Sequence, residues 1–297
     1  MTADLAGRTV GFVGLGHMGT PMAAQLAAAG VHVRGHDAAD AARDAFAAQV
    51  PTAEVVPTPE AVASGAEAVL LCLPDSDVVG TVVGGGLLDA LEPGAVLVDM
   101  SSSEPLRTRE LAERAAKADH VLLDAPVSGG VSGARAGTLS VMVGGDDDAV
   151  AAVWPLLSAI GRPRHVGPTG AGHALKALNN LMSAAHLLAS SEALLVGEAF
   201  GLDPEVMLEV VNASTGRSGS TEVKWPRDVL PGTFASGFGL GLMLKDIRIA
   251  LDLARTTGSA SRHAASTVGL WAEAAAALPP DADHTEIVRW LRRGEDR

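Results

Sequence analysis

From Thr9 to His165 the chain alternates between short apolar runs and stretches with helical periodicity. The runs are TVGFVG, HVRGHD, AEAVLLCLP, GAVLVDM and HVLLDAP, with TLSVMVGG and RPRHVG as later, shorter members. The first two are followed by helical patterns, one from about Thr20 to Ala29 and one in AADAARDAFAAQ. The central runs are apolar at successive positions instead of alternating. A strand of that kind is covered on both faces, as when helices flank a parallel sheet. Strand-helix alternation of this length predicts an α/β domain built on a parallel, doubly wound sheet.

After Pro168 the alternation stops. Helices are predicted over about 171–200, 204–213, 241–257, 261–277 and 284–293, with STGRSGS and LPGTFASGFGLG as loops. No further strand run is convincing. The expected organisation is therefore residues 1–167 as an α/β domain and 168–297 as an all-α domain, joined through the long helix that starts near 171. A chain of 297 residues, 47% of them hydrophobic, is large enough for two such cores.

The net charge of −13 argues against nucleic acid as a partner, since phosphates need a basic surface. The single cysteine, Cys72, excludes an internal disulfide. Its place in AVLLCLP reads as a small buried thiol, which suits a reducing cytoplasm. No signal peptide is evident, because TVGFVGLG follows a single arginine and is soon broken by glycines. The longest uncharged helical stretch, Ala177 to Ser191, holds two asparagines, a histidine and three serines, too polar and too short for a bilayer. No membrane partner is expected, and no residue pattern asks for a metal.

The first apolar run leads straight into GLGHMG. Alone, a GxGxxG pattern is weak; here a strand precedes it and a helix follows. Gly14 suits the tight turn, Gly16 the approach of a pyrophosphate and Gly19 close helix packing. Leu15, His17 and Met18 complete the loop, whose amides open a helix N-terminus that favours anions. The pattern predicts a Rossmann-type dinucleotide site. Asp37 follows Gly14 by 23 residues, near the spacing of the acid that binds the adenosine ribose. Ala38 and Ala39 offer no guanidinium for a 2′-phosphate, which favours NAD; Arg34 and Arg43 leave room for NADP. Asp37 also suits a helix N-cap.

Two further stretches carry chemistry. DAPVSGGVSGARAG, Asp124 to Gly137, follows a strand end, where ligands of open α/β sheets bind. Ser128 offers a hydroxyl, and Gly129 and Gly130 offer amides unobstructed by side chains, a setting for a carboxylate; without a ligand the stretch reads as an ordinary loop. In GAGHALKALNN, Lys176 and Asn180 lie one helical turn apart and point the same way. An ammonium and an amide on one face of an otherwise apolar helix call for a reason.

GFVGLGHMGTPMA, DAPVSGGVSGA, GAGHALKALNN and KDI at Lys245 to Ile247 occur in that order across residues 11–247. Together they resemble the motifs of the β-hydroxyacid dehydrogenases, the family of 3-hydroxyisobutyrate dehydrogenase and tartronate semialdehyde reductase, related to 6-phosphogluconate dehydrogenase. The resemblance implies that Lys176 is the catalytic lysine, that Asn180 helps hold the substrate and that Ser128, Gly129 and Gly130 bind its carboxylate. It implies that Lys245 reaches the nicotinamide end of the site and that Leu73, Pro74 and Ser102 contact the cofactor. Isoleucine stands here where the family's KDL motif has leucine, and serine at 102 where threonine is usual.

Lys176 then has a task. Hydride transfer leaves the alcohol's proton to be moved, and a lysine whose pKa is lowered by burial is suited to that exchange. His173, three residues earlier, matches no family position and reads as structural. The implied substrate is a small β-hydroxy acid or its semialdehyde. Trp225, Phe234 and Phe238 are expected to wall an apolar one such as 3-hydroxyisobutyrate or, equally, to anchor domain packing; Arg217, Ser218 and Ser220 would suit a glycerate-like one. Imine reductases share the architecture but replace the lysine, and a non-catalytic NAD-sensing protein has no need of the Lys176–Asn180 pair. Leu181, Met182, Leu187, Leu188, Leu194, Leu195 and Val196 make the long helix apolar on more than one face. With the family resemblance, that predicts a homodimer or homotetramer.

Overall fold

The computed structural model describes residues 5–293. Nine strands form one sheet: β1 (Thr9–Val13), β2 (His32–His36), β3 (Glu54–Val55), β4 (Ala68–Leu71), β5 (Val96–Asp99), β6 (Val121–Asp124), β7 (Val127–Ser128), β8 (Leu139–Gly144) and β9 (Gly161–Gly167). Their spatial order is β3-β2-β1-β4-β5-β6-β8-β7, with β9 on β8. The six strands from β3 to β6 are all parallel. β8 runs antiparallel to β6 and β7 and parallel to β9. The order reverses between β1 and β4, and that switch point is where open α/β sheets bind dinucleotides.

The covering helices are α1 (Gly19–Ala28), α2 (Asp40–Gln49), α3 (Ser76–Val82), α4 (Pro105–Lys117), α5 (Gly130–Ala136) and α6 (Asp147–Ile160). Successive side chains of one strand enter different cores. Ala68 and Leu70 pack with Phe12, Met22 and Leu26, whereas Val69 and Leu71 pack with Val13, Val62 and Leu97. This two-sided burial is the physical reason for the uninterrupted apolar runs.

The remaining helices are α7 (Ala171–Phe200), α8 (Pro204–Asn212), α9 (Leu240–Thr256), α10 (Arg262–Ala277) and α11 (Ile287–Arg293). The chain divides into two compact units between Lys176 and Ala177, inside α7. The second unit is helical, and its core gathers Leu187, Leu194, Trp225, Ile247, Trp271 and Ile287. Among the described residues its only strand-like pairing is a bridge between Gly239 and Asp283.

Two stretches depart from the sequence reading. The glycine-rich segment after Ser128 is helix α5, not loop, stopped by Gly137 in the left-handed conformation (φ 64°). Its seven residues, GVSGARA, include two glycines, poor helix formers, and a single large apolar side chain, so they carry little helical signal. Likewise Ser220–Val229, between the two expected loops, forms a wide helical turn around Pro226. Proline supplies no amide to an ordinary helical ladder, so the turn opens there. Trp225 in this turn is fully buried, and its indole N–H donates to Ser191 Oγ at 3.2 Å. Phe234 is buried too, under the Arg289 guanidinium. Both are core anchors, the packing role that was the alternative to walling a substrate; Phe238 is half-buried, edge-on to His284.

Candidate functional site

The loop between β1 and α1 divides its work among three glycines. A Cβ on Gly14, which sits at φ 97°, would lie 2.2 Å from the Cys72 carbonyl oxygen. One on Gly19 would lie 1.8 Å from the Gly14 carbonyl oxygen. Both therefore serve close backbone packing. A Cβ on Gly16 would meet nothing within 4 Å, and Gly16 and His17 are exposed. The open side of the loop is free for a ligand to approach, which is the fit a pyrophosphate needs. Leu15 has its side chain in the core, and Met18 precedes α1 half-buried.

Asp37 lies just past the end of β2. Its carboxylate accepts from the Leu15 amide at 2.8 Å and the Ala39 amide at 2.9 Å. The residue that caps α2 is Ala39, without a side-chain bond, so Asp37 ties the loop instead of capping the helix. Arg43 donates to the Asp37 carbonyl at 2.5 Å and pairs with Asp40. Arg34 is held by Glu54 at 3.0 Å and by the Ser64 carbonyl at 2.7 Å.

On the other side of the switch point, Leu73 donates its amide to Ser101 Oγ at 2.9 Å. Pro74 is exposed and Ser102 half-buried. Cys72 is half-buried; burial, helped by Asp99, pushes its thiol up to about 12, an unreactive value. Ser128 ends β7, and Gly129 and Gly130 follow with φ of 134° and 65°, exposed at the start of α5.

Sequence reasoning missed the polar cluster that holds the start of α7. Asp99 and Asp124, the last residues of β5 and β6, are both buried. Asp124 accepts from the Gly170 amide at 2.6 Å and the His173 amide at 2.8 Å. The His173 ring is buried; Nδ1 shares a hydrogen bond with Thr108 Oγ1 at 2.8 Å. Its two ring nitrogens lie 3.8 Å from Asp124 and Asp99. Burial pushes the Asp124 carboxyl up, against His173 and the two amides that draw it down. The signal was present in the sequence, since VLVD and VLLD each end an apolar run in a carboxylate. Lys176 is one turn beyond His173, half-buried.

In the second unit, Asn180 is buried, and its Nδ2 donates to Asp246 Oδ2 at 2.6 Å. Asp246 also faces its neighbour Lys245 at 3.6 Å. The KDI motif thus supplies both a lysine and the carboxylate that orients Asn180. Among the described residues no group of three or more His, Cys, Asp or Glu side chains is placed to hold a metal ion.

A doubly wound sheet with an open glycine loop at its switch point and an acid at the end of β2 defines a dinucleotide-binding protein. Residues 9–170 match the NAD-binding domain model of 6-phosphogluconate dehydrogenase, and 170–291 match the model described as the NAD-binding domain of NADP-dependent 3-hydroxyisobutyrate dehydrogenase. The 2-(hydroxymethyl)glutarate dehydrogenase of Eubacterium barkeri is 42% identical, over 82% of this chain and 81% of that protein. The human mitochondrial 3-hydroxyisobutyrate dehydrogenase is 37% identical, over 84% and 76%. A solved structure of 3-hydroxyisobutyrate dehydrogenase from Mycobacterium tuberculosis with L-serine superposes with a TM-score of 0.89 at 33% identity, covering 96% and 99%. The chain belongs to the β-hydroxyacid dehydrogenase family. It is an oxidoreductase acting on CH–OH groups, with NAD(P) as cofactor.

The glycine geometry separates binding from folding. Gly16→Val is expected to weaken NADH binding, read by fluorescence titration, while the unfolding midpoint stays at the wild-type value. Gly19→Ala is expected to lower the midpoint itself. A Gly16→Val protein that binds NADH normally would remove the loop from the site.

Proposed function

We propose that this enzyme interconverts acids of the form HOCH2–CH(R)–COO⁻ and their semialdehydes, with residues 1–167 binding the cofactor and 168–297 supplying substrate contacts and the oligomer interface. 3-Hydroxyisobutyrate, 2-(hydroxymethyl)glutarate, glycerate and serine all share this core and differ in R. The observation that carries the reading is the pair Lys176 and Asn180, one turn apart on a helix whose start Asp124 holds from β6. A nicotinamide cofactor held by the glycine loop and Asp37 would supply the hydride chemistry at the carbinol carbon. Lys176 moves the hydroxyl proton at Nζ. Asn180, its amide turned by Asp246, orients the reacting oxygen without competing for that proton. Ser128 and the Gly129 and Gly130 amides hold the carboxylate. Leu73, Pro74, Ser102 and Lys245 complete the cofactor contacts. A retained Lys176 speaks against an imine reductase, and the proton-transfer pair speaks against a purely NAD-sensing role.

Lys176→Ala is expected to lower kcat by about two to four orders of magnitude while NAD still binds. Near-normal turnover of 3-hydroxyisobutyrate by that variant would defeat the assignment.

Asp37 supports a preference for NAD, because its carboxylate suits the ribose hydroxyls and repels a 2′-phosphate. Arg43, against the Asp37 carbonyl, leaves some tolerance of NADP. Wild-type kcat/KM is expected to be higher with NAD, with the gap narrowed in Asp37→Ala; a higher wild-type value with NADP rejects the preference.

The helical unit supports an oligomer. Leu187, Leu188, Leu194 and Leu195 are covered within the chain and Leu181 is partly covered, but Met182 is 53% and Val196 70% exposed. Phe200, Leu202, Val206 and Val210 continue the exposed apolar surface into α8. A symmetric dimer or tetramer would cover it. No helix among the described residues is long and apolar enough to cross a membrane, and the lone unreactive Cys72 suits a cytoplasmic setting. Light scattering of the active protein at micromolar concentration is expected to give a multiple of 30.1 kDa; a monomer mass with full activity rejects the oligomer.

A further inference from the structure

One cation of the helical unit has no part in the chemistry above. Lys224, in the wide turn Ser220–Val229, is partly buried, and its Nζ donates to Ser183 Oγ at 2.7 Å. Ser183 follows Asn180 by three residues on α7, so the two side chains share a face of the helix. An ammonium carries three N–H bonds, and the partner found here is a neutral hydroxyl. The carboxylates whose charge reaches Lys224 are Asp283 and Asp228. Asp228 receives Arg227 on both oxygens, at 2.8 to 3.1 Å. Asp283 accepts from Ser236 Oγ, the Gly237 amide and Thr285 Oγ1. Among the described residues, no carboxylate lies within ion-pair distance of Lys224. Burial pushes its pKa down to about 8, with Asp283 raising it, Arg227 lowering it and Asp228 raising it. A cation so placed is costly alone and favourable once an anion reaches it.

We propose that Lys224 and Ser183 form a carboxylate subsite beside Asn180, so that the preferred substrates are HOCH2–CH(R)–COO⁻ acids whose R ends in a second carboxylate. This rests on the reading that Asn180 holds the substrate. Three residues of helix rise about 4.5 Å. An arm of two methylenes and a carboxylate ends about 4 Å from the branching carbon by ordinary bond lengths, so the spacing matches. Such an acid would bring its second charge to the one side chain in this segment that has an ammonium to offer it. Of the other polar candidates, Arg217 is exposed and faces Glu222 at 3.7 Å, Ser218 is bonded to Thr221, and Ser220 is buried and carries no charge to offer.

The test uses two probes with the same reacting core, 3-hydroxyisobutyrate (R methyl) and 2-(hydroxymethyl)glutarate (R a two-methylene carboxylate), with the full chain at saturating NAD. Wild type is expected to favour the dicarboxylate by at least about ten-fold in kcat/KM, the range of one charged hydrogen bond. Lys224→Met is expected to lose that advantage, mainly through KM, and to keep its 3-hydroxyisobutyrate kinetics; Lys224→Arg is expected to restore part of it. Methionine keeps the apolar stem and removes a desolvated charge, so the unfolding midpoint should hold or rise; Lys224→Gln serves as a second variant should the first not fold. Equal loss on both probes, or no wild-type preference for the dicarboxylate, overturns the subsite. Calorimetric titration with glutarate reads the same contact without turnover. Binding that weakens in Lys224→Met supports the subsite, and identical binding in the two proteins overturns it. Absence of turnover of both probes by wild type, with either NAD or NADP, instead defeats the dehydrogenase reading on which the subsite rests.

Discussion

A carboxylate at the end of β6 carries much of the architecture around the site. Burying an ionisable group costs several kcal/mol unless it is well partnered, and Asp124 is partnered by the amides of Gly170 and His173. These belong to the approach and first turn of α7, where backbone donors have no partner within the helix. One side chain thus satisfies two orphan amides and ties the longest helix to the sheet. His173 and Thr108 close the cluster from the side. Strand β7, which ends in Ser128, starts three residues after Asp124, and Lys176 lies one turn past His173. Ser128 and Lys176, proposed above to meet the substrate, therefore both lie close in sequence to residues of the same polar cluster.

The second unit repeats this logic with Asp246, whose carboxylate receives the Asn180 amide. An amide free to rotate could present either its oxygen or its nitrogen to a reacting group. Bonded to a carboxylate, it is held with its nitrogen turned towards Asp246. In both units a buried acid next to a functional residue sets orientation, and it does so without needing to touch substrate.

The strands were legible because two-sided burial leaves a run of apolar residues that no exposed segment would carry, as in AVLLCLP. The cofactor loop was legible because close packing admits only glycine at 14 and 19, and the spacing to Asp37 follows from the strand between them. What escaped were contacts made across the sequence. Lys224 meets Ser183 from 41 residues away and Asn180 meets Asp246 from 66; neither leaves a local pattern. Trp225 was ambiguous between substrate wall and core anchor for a related reason. Its neighbours STEVK and PRD are mostly polar, and only the packed turn shows that the ring points into the core. Helix α5 escaped because glycine and alanine at such density have no apolar periodicity to read.

The bond from the Leu15 amide to Asp37 gives the acid proposed to select the cofactor a second duty. The carboxylate proposed to face a ribose also anchors the glycine loop between β1 and α1. Changing the enzyme's taste in nicotinamides by erasing that acid would leave an amide without its acceptor and slacken the phosphate loop at the same stroke. A redesign that keeps a short acceptor at 37, asparagine or serine, and places its new cation elsewhere would avoid the conflict.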